Sequence, residues 1–158
     1  PEVQREWYNT INGRLKTGMG GKMAFIIWSD EYSVNINELD KQHQQLINII
    51  NRVYEASQSG AEKNVIRRIF VELAEYATHH FKAEEELFKS YGYPNFEQHR
   101  QQHKQLVVIL LELQRRFRKG TMILSEDMLN FLKNDWLLKH IVASDKEYSS
   151  FFNSKGVF

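Results

Sequence analysis

The side chains in this sequence best suited to chemistry are six histidines and the carboxylates that recur beside them. The densest group is His79-His80-Phe81-Lys82-Ala83-Glu84-Glu85-Glu86. His99 and His103 form an i, i+4 pair, His43 stands alone in its segment, and His140 is followed by Asp145 and Glu147. Neutral imidazole with carboxylate is a ligand set for iron, zinc, copper or nickel. Cysteine is absent, which removes thiolate ligands, disulfides and thiol catalysis. Whether these groups meet depends on the segments that carry them.

Those segments are helical by their punctuation. Two prolines and eight glycines leave long uninterrupted stretches. Ser59-Gly60-Ala61-Glu62 matches a capping box, and Gly60 is also suited to end the preceding helix. Gly92 and Pro94 break the chain again, and Asn95-Phe96-Glu97-Gln98 has the form of a helix start. Cations crowd positions 115–119 before Gly120, as the negative end of a helix dipole prefers. Ser125-Glu126-Asp127 then opens a last segment. The spacing predicts helices over 38–57, 61–91, 96–119 and 126–148. Short connections make neighbours antiparallel, so the expected fold is all-α: an up-down-up-down four-helix bundle. Residues 24–36, rich in Phe25, Ile26, Ile27, Trp28, Tyr32 and Val34, form an N-terminal arm packed on it.

Helical phase then says which polar groups face inward. At about 100° per residue with His80 as origin, Leu73, Ile69, Leu87, Ile66 and Glu84 all fall within about 40° of it. His79, Glu85 and Glu86 lie about 100° or more away. On the third helix His99 and His103 continue the stripe of Leu106, Leu110, Leu113 and Phe117, and on the first His43 shares a face with Leu39, Ile47, Ile50 and Tyr54. On the fourth, His140 lines up with Leu129 and Trp136. Five of the six histidines therefore face the core, and Glu84 with them. A buried carboxylate without a partner costs several kcal/mol, and five imidazoles cannot satisfy one another.

A metal site is the economical account. Five imidazoles are too many for one ion that also keeps a carboxylate, so the arithmetic favours two. Three imidazoles on one ion and two on the other, bridged by two carboxylates and a solvent oxygen, leave one coordination position open. An open ferrous position in an apolar pocket suits a small diatomic ligand. Phase does not settle the second carboxylate: on an ideal helix Asp145 sits about 140° from His140 and Glu147 about 20° from it.

The series His43, His80-x-x-x-Glu84, His99-x-x-x-His103 and His140-x-x-x-x-Asp145 resembles the motif of the hemerythrin family in type, order and spacing. The bacterial style of that family is visible in Trp28-Ser29-Asp30-Glu31-Tyr32-Ser33-Val34, Leu39-Asp40-Lys41-Gln42-His43 and Tyr93-Pro94, and the resemblance covers about 24–152. It implies two non-haem iron ions (Fe2+/Fe3+) with an oxo or hydroxo bridge. His99, His103 and His140 would hold the coordinatively full iron, His43 and His80 the five-coordinate one, and Glu84 and Asp145 would bridge. Choosing Asp145 over Glu147 requires the fourth helix to bend or unwind after His140. Leu46, Trp136, Leu137 and Ile141 match positions lining the dioxygen pocket. The implied function is reversible dioxygen binding, as hydroperoxide at the five-coordinate iron, in a carrier, storage, delivery or sensing protein and not an enzyme. The alternatives are an oxygen or redox sensor module of a larger signalling protein, or a di-iron enzyme reducing peroxide or nitric oxide.

The remaining features bound the setting. Lys and Arg total 21 against 20 Asp and Glu, which gives no basic face for nucleic acid. No stretch is apolar enough to span a membrane, and a cytoplasmic location, alone or within a larger protein, is the expectation. Residues 23–158 read as the di-iron bundle. Residues 1–22 read as an extension and linker, with Val3, Trp7, Ile11 and Leu15 on one helical stripe before Thr17-Gly18-Met19-Gly20-Gly21. They suit the end of an upstream element and contact with a signalling or redox partner.

Overall fold

A computed structural model describes residues 24–122 and 127–158. Helix α1 (Asn37–Ser59) is followed by α2 (Lys63–Tyr91) and α3 (Phe96–Lys119). A π-helix (Phe131–Asp145) comes next and runs directly into α4 (Lys146–Asn153). Packing runs α1 on α2, α2 on α3, α3 on the π-helix and the π-helix back on α1, the closed cycle of an all-α four-helix bundle. No strand occurs among the described residues. Residues 1–22, and with them the stripe Val3, Trp7, Ile11 and Leu15, lie outside the described residues, as do Ser125 and Glu126.

The first three helices follow their apolar period. α1 buries Leu39, His43, Leu46, Ile47, Ile50 and Val53, and α2 buries Ile66, Ile69, Phe70, Leu73, Ala77 and His80. Each large apolar side chain so removed from water is worth about 1.5–3 kcal/mol. Gly60 and Gly92 end α1 and α2 in the left-handed conformation at φ 62° and 66°, where a side chain would be strained. The capping box does not form. Ser59 is still the last residue of α1, with its hydroxyl on the Ala56 carbonyl, and Glu62 occupies the N-cap position of α2. Asn95 does stand before α3, without a side-chain cap bond.

The fourth segment departs from expectation in its winding. A bend or unwinding was expected after His140; instead the backbone is wide from Phe131 to Asp145 and tightens to α-helical at Lys146. An i→i+5 ladder widens the turn to more than four residues, so residues four and five apart share a face. The buried set of this segment obeys that spacing: Phe131, Trp136 and Ile141; Leu132 and Leu137; His140 and Asp145.

The core has two apolar clusters with a polar layer between them. The larger contains Leu46, Phe70, Leu73, Phe81, Trp136 and Ile141; the smaller contains Val34, Ile36, Leu39, Phe88, Tyr93, Tyr148 and Phe152. The arm packs as expected, with Ile26, Tyr32, Val34 and Ile36 buried, although Ile27 is exposed. Asn51 clamps it by accepting from the Ile26 N–H and donating to the Ile26 carbonyl, each at 2.8 Å.

Candidate metal centre

The polar layer brings seven side chains from four helices to one place. His43 comes from α1, His80 and Glu84 from α2, His99 and His103 from α3, and His140 and Asp145 from the π-helix. All seven are buried. Two sets have ligand atoms within 4.8 Å of one another: Glu84 with His99, His103 and His140, and His43 and His80 with Glu84 and Asp145.

The carboxylates link the sets. Glu84 Oε2 lies 2.8 Å from His103 Nε2 and 3.4 Å from His99 Nε2, while Oε1 lies 3.7 Å from His80 Nε2. Asp145 Oδ1 lies 3.2 Å from His99 Nε2 and 3.4 Å from His140 Nε2, and Oδ2 lies 3.4 Å from His43 Nε2. Each acid thus turns one oxygen to each histidine set. The π-helix makes this work for Asp145, because one wide turn places it over His140.

These groups need something the protein does not supply. The Nε2 atoms of His43, His80, His99 and His140 and both oxygens of Asp145 are buried without a hydrogen-bond partner. Orphaned polar atoms at this density would each cost about 1–3 kcal/mol. Their convergence, all imidazole nitrogen and carboxylate oxygen, fits a pair of divalent ions.

The chain matches the family model described as hemerythrin HHE cation binding domain over residues 34–151. The chain belongs to the hemerythrin family. It is 30% identical over 127 residues to the bacteriohemerythrin of Methylococcus capsulatus, covering 80% of this chain and 95% of that one. It is 32% identical over 126 residues to the bacteriohemerythrin of Pseudomonas aeruginosa, covering 80% of each. A crystal structure of wild-type hemerythrin superposes with a TM-score of 0.73 at 30% identity, over 80% of this chain and 97% of that one. A cation-binding centre is therefore a property of the family as well as of these side chains.

The electrostatics hold the cluster in ligand-competent form. Burial lowers His80 to about 3 and His140 to about 4, against the pull of Glu84 and Asp145, so both rings stay neutral. Burial also opposes a charge on His99, but Asp145 and Glu84 override it and raise that ring to about 10. Burial pushes Glu84 up, yet His80, His103 and His99 hold it well below the usual carboxylate range. Asp145 is held low in the same way by His140, His43 and His99. Metals take neutral imidazoles and ionised carboxylates, so His80, His140, Glu84 and Asp145 are already in that form, whereas His99 would have to give up a proton.

Several residues that support the centre were not singled out from the sequence. Gln42 Oε1 sits 2.9 Å from His80 Nδ1, and Tyr148 donates its hydroxyl to Glu84 Oε1 at 2.6 Å. Gln42 lies three residues after Leu39 and four before Leu46, so phase alone could have placed it inside. Glu85, off the core face by phase, reaches His103 Nδ1 at 3.0 Å from its half-buried position. Tyr76 stacks on His80 with ring centroids 5.3 Å apart, and its buried hydroxyl has no partner. His79 and Glu86 are exposed, as their phase requires. Leu46, Trp136, Leu137 and Ile141 are all buried in the cluster that borders the site.

Proposed function

We propose that this chain binds two non-haem iron ions between its four helices and takes up dioxygen reversibly, without catalytic turnover. The observation that carries this reading is the pair of buried carboxylates with one oxygen toward each histidine set. His99, His103 and His140 would hold one ion, His43 and His80 the other, and Glu84 and Asp145 would bridge them alongside an oxo or hydroxo group. Two ferrous ions supply the two electrons and the open coordination position that reversible dioxygen binding requires. The His43–His80 end has one imidazole fewer, so an ion held there would keep a position for dioxygen.

The protein's own part is orientation and exclusion. Gln42 accepts from His80 Nδ1–H and so turns the Nε2 lone pair toward the centre. Glu85 does the same for His103. Tyr148 donates to Glu84 and fixes its rotation. Leu46, Trp136, Leu137 and Ile141 exclude water and limit proton delivery, which protects a bound oxidant from release. The bacteriohemerythrin relatives support the same reading.

Iron content together with visible absorption in the deoxygenated and oxygenated states tests it. Two irons per chain and an absorption change reversed by removing dioxygen are expected. Purified protein without iron would sink the proposal, and sustained consumption of peroxide or nitric oxide would replace it with an enzymatic function.

A sensing role is favoured by one further contact set. Asp40 Oδ1 accepts from the Val34 N–H at 2.7 Å and lies 4.0 Å from His43 Nδ1. Ser149 on α4 donates to the Val34 carbonyl at 2.6 Å. The arm is thus tied to α1 beside His43 and to α4, and contact of residues 1–22 with a signalling or redox partner would act through it. Amide exchange of residues 24–36 should change between deoxygenated and oxygenated protein; identical rates would leave carriage or storage as the function. No described helix is long and apolar enough to cross a membrane, and we place the chain in the cytoplasm.

A further inference from the structure

Two of the buried imidazoles already have an acceptor behind them: Gln42 for His80 at 2.9 Å and Glu85 for His103 at 3.0 Å. His140 has none. Its Nε2 points to Asp145 Oδ1 at 3.4 Å, so Nδ1 faces away from the centre, and Nδ1 is buried without a partner. A ring that gives Nε2 to a metal carries its proton on Nδ1, and that proton seeks an acceptor.

A complementary orphan faces the same space. Between α3 and the π-helix lies a cleft of about 340 Å³ lined by both Gln102 and His140. Gln102 Oε1 is buried and accepts no hydrogen bond. Three further polar residues on the cleft pair among themselves: Lys139 donates to Asp135 at 2.7 Å, and Ser144 donates to the Lys139 carbonyl at 3.3 Å. One buried donor without an acceptor and one buried acceptor without a donor share a polar cavity. A water needs only about 10–15 Å³ and two to four polar partners.

We propose that Gln102 is the positioning residue for His140, acting through one ordered water that accepts from His140 Nδ1–H and donates to Gln102 Oε1. The cleft is then a water site that supplies the partner His140 Nδ1 lacks. Gln102 comes from α3 and His140 from the π-helix, so the water also ties together two helices of the three-histidine end. The inference rests on the proposal that His140 is a metal ligand.

Zinc-loaded protein gives a test without dioxygen. In the wild type the His140 Nδ1 proton should resonate sharply, exchange slowly and show a cross-peak to a long-lived water. Gln102→Leu should broaden that resonance and weaken binding of one of the two ions about 10–100-fold. Gln102→Glu, which keeps the acceptor, should restore both. Thermal melting of the metal-free variants should stay near wild type. Absence of the water cross-peak in the wild type overturns the proposal irrespective of how any variant folds, as does unchanged zinc affinity in Gln102→Leu. If wild-type protein bound no zinc, the metal-site reading would fail instead, so the two failures are distinguishable.

Discussion

Among the side chains of 79–86, immediate neighbours in the chain have opposite fates. His80 and Glu84 are fully buried at the centre, whereas His79 is exposed. His99→Ala should therefore weaken metal binding at least about tenfold, and His79→Ala should leave it unchanged; inductively coupled plasma analysis after gel filtration reads both. The two tyrosines beside the site make a sharper pair. Tyr148 donates to Glu84, so Tyr148→Phe removes a bond to a charged acceptor worth about 1.5–3 kcal/mol. The Tyr76 hydroxyl is buried without a partner, so Tyr76→Phe should be neutral or stabilising by about 1 kcal/mol in denaturant melts of the metal-free protein. Phase was enough to sort the histidines because each sits in a long amphipathic helix. Gln42 and Tyr148 escaped notice because a glutamine or tyrosine on an apolar stripe is ordinary packing until its partner from another helix is known.

At the level of the element, three helices were legible and the fourth only in part. α1, α2 and α3 obey a 3.6-residue period, and their ends fall within a few residues of the expected marks. The π-helix turns by less than 100° per residue, so its buried set recurs at four and five residues, which an analysis at the α-helical period does not register. That is why Glu147 rivalled Asp145 in the sequence. Glu147 is exposed on α4, whereas Asp145 is buried beneath His140. Asp145→Asn should accordingly reduce metal occupancy sharply, and Glu147→Gln should not; equal losses would mean that the wide winding does not persist in solution. The capping box failed for a related reason. Four residues cannot both end one helix in a left-handed glycine and open the next with a serine already inside the first.

For the whole molecule, the polar layer between two apolar clusters makes stability depend on pH. His80 and His140 have folded values of about 3 and about 4, below the ordinary 6.5. The unfolded chain therefore binds more protons than the folded one from about pH 6.5 downward, and each ring removes about 1.4 kcal/mol per pH unit across that window. Glu84 and Asp145, also depressed, add to the loss at still lower pH. His99, raised to about 10, has the opposite sign: its contribution is complete below 6.5 and is lost as pH rises toward 10. Metal-free protein should be most stable near neutrality and fall away on both sides, as chemical melts across pH 4–10 would show. A flat profile would mean that the rings relax to solvent when no ion is present.

The unequal division of imidazoles, three on one side of the carboxylates and two on the other, bears on how the centre fills. The end with His99, His103 and His140 offers the first dication one more nitrogen, and the two carboxylates offset its charge. A second dication then meets a site already electrically neutral and one ligand poorer. Titration should run in two steps, with a singly loaded species prominent at one equivalent. Such a species invites the preparation of a mixed centre, with zinc at the nitrogen-rich end and ferrous iron at the other.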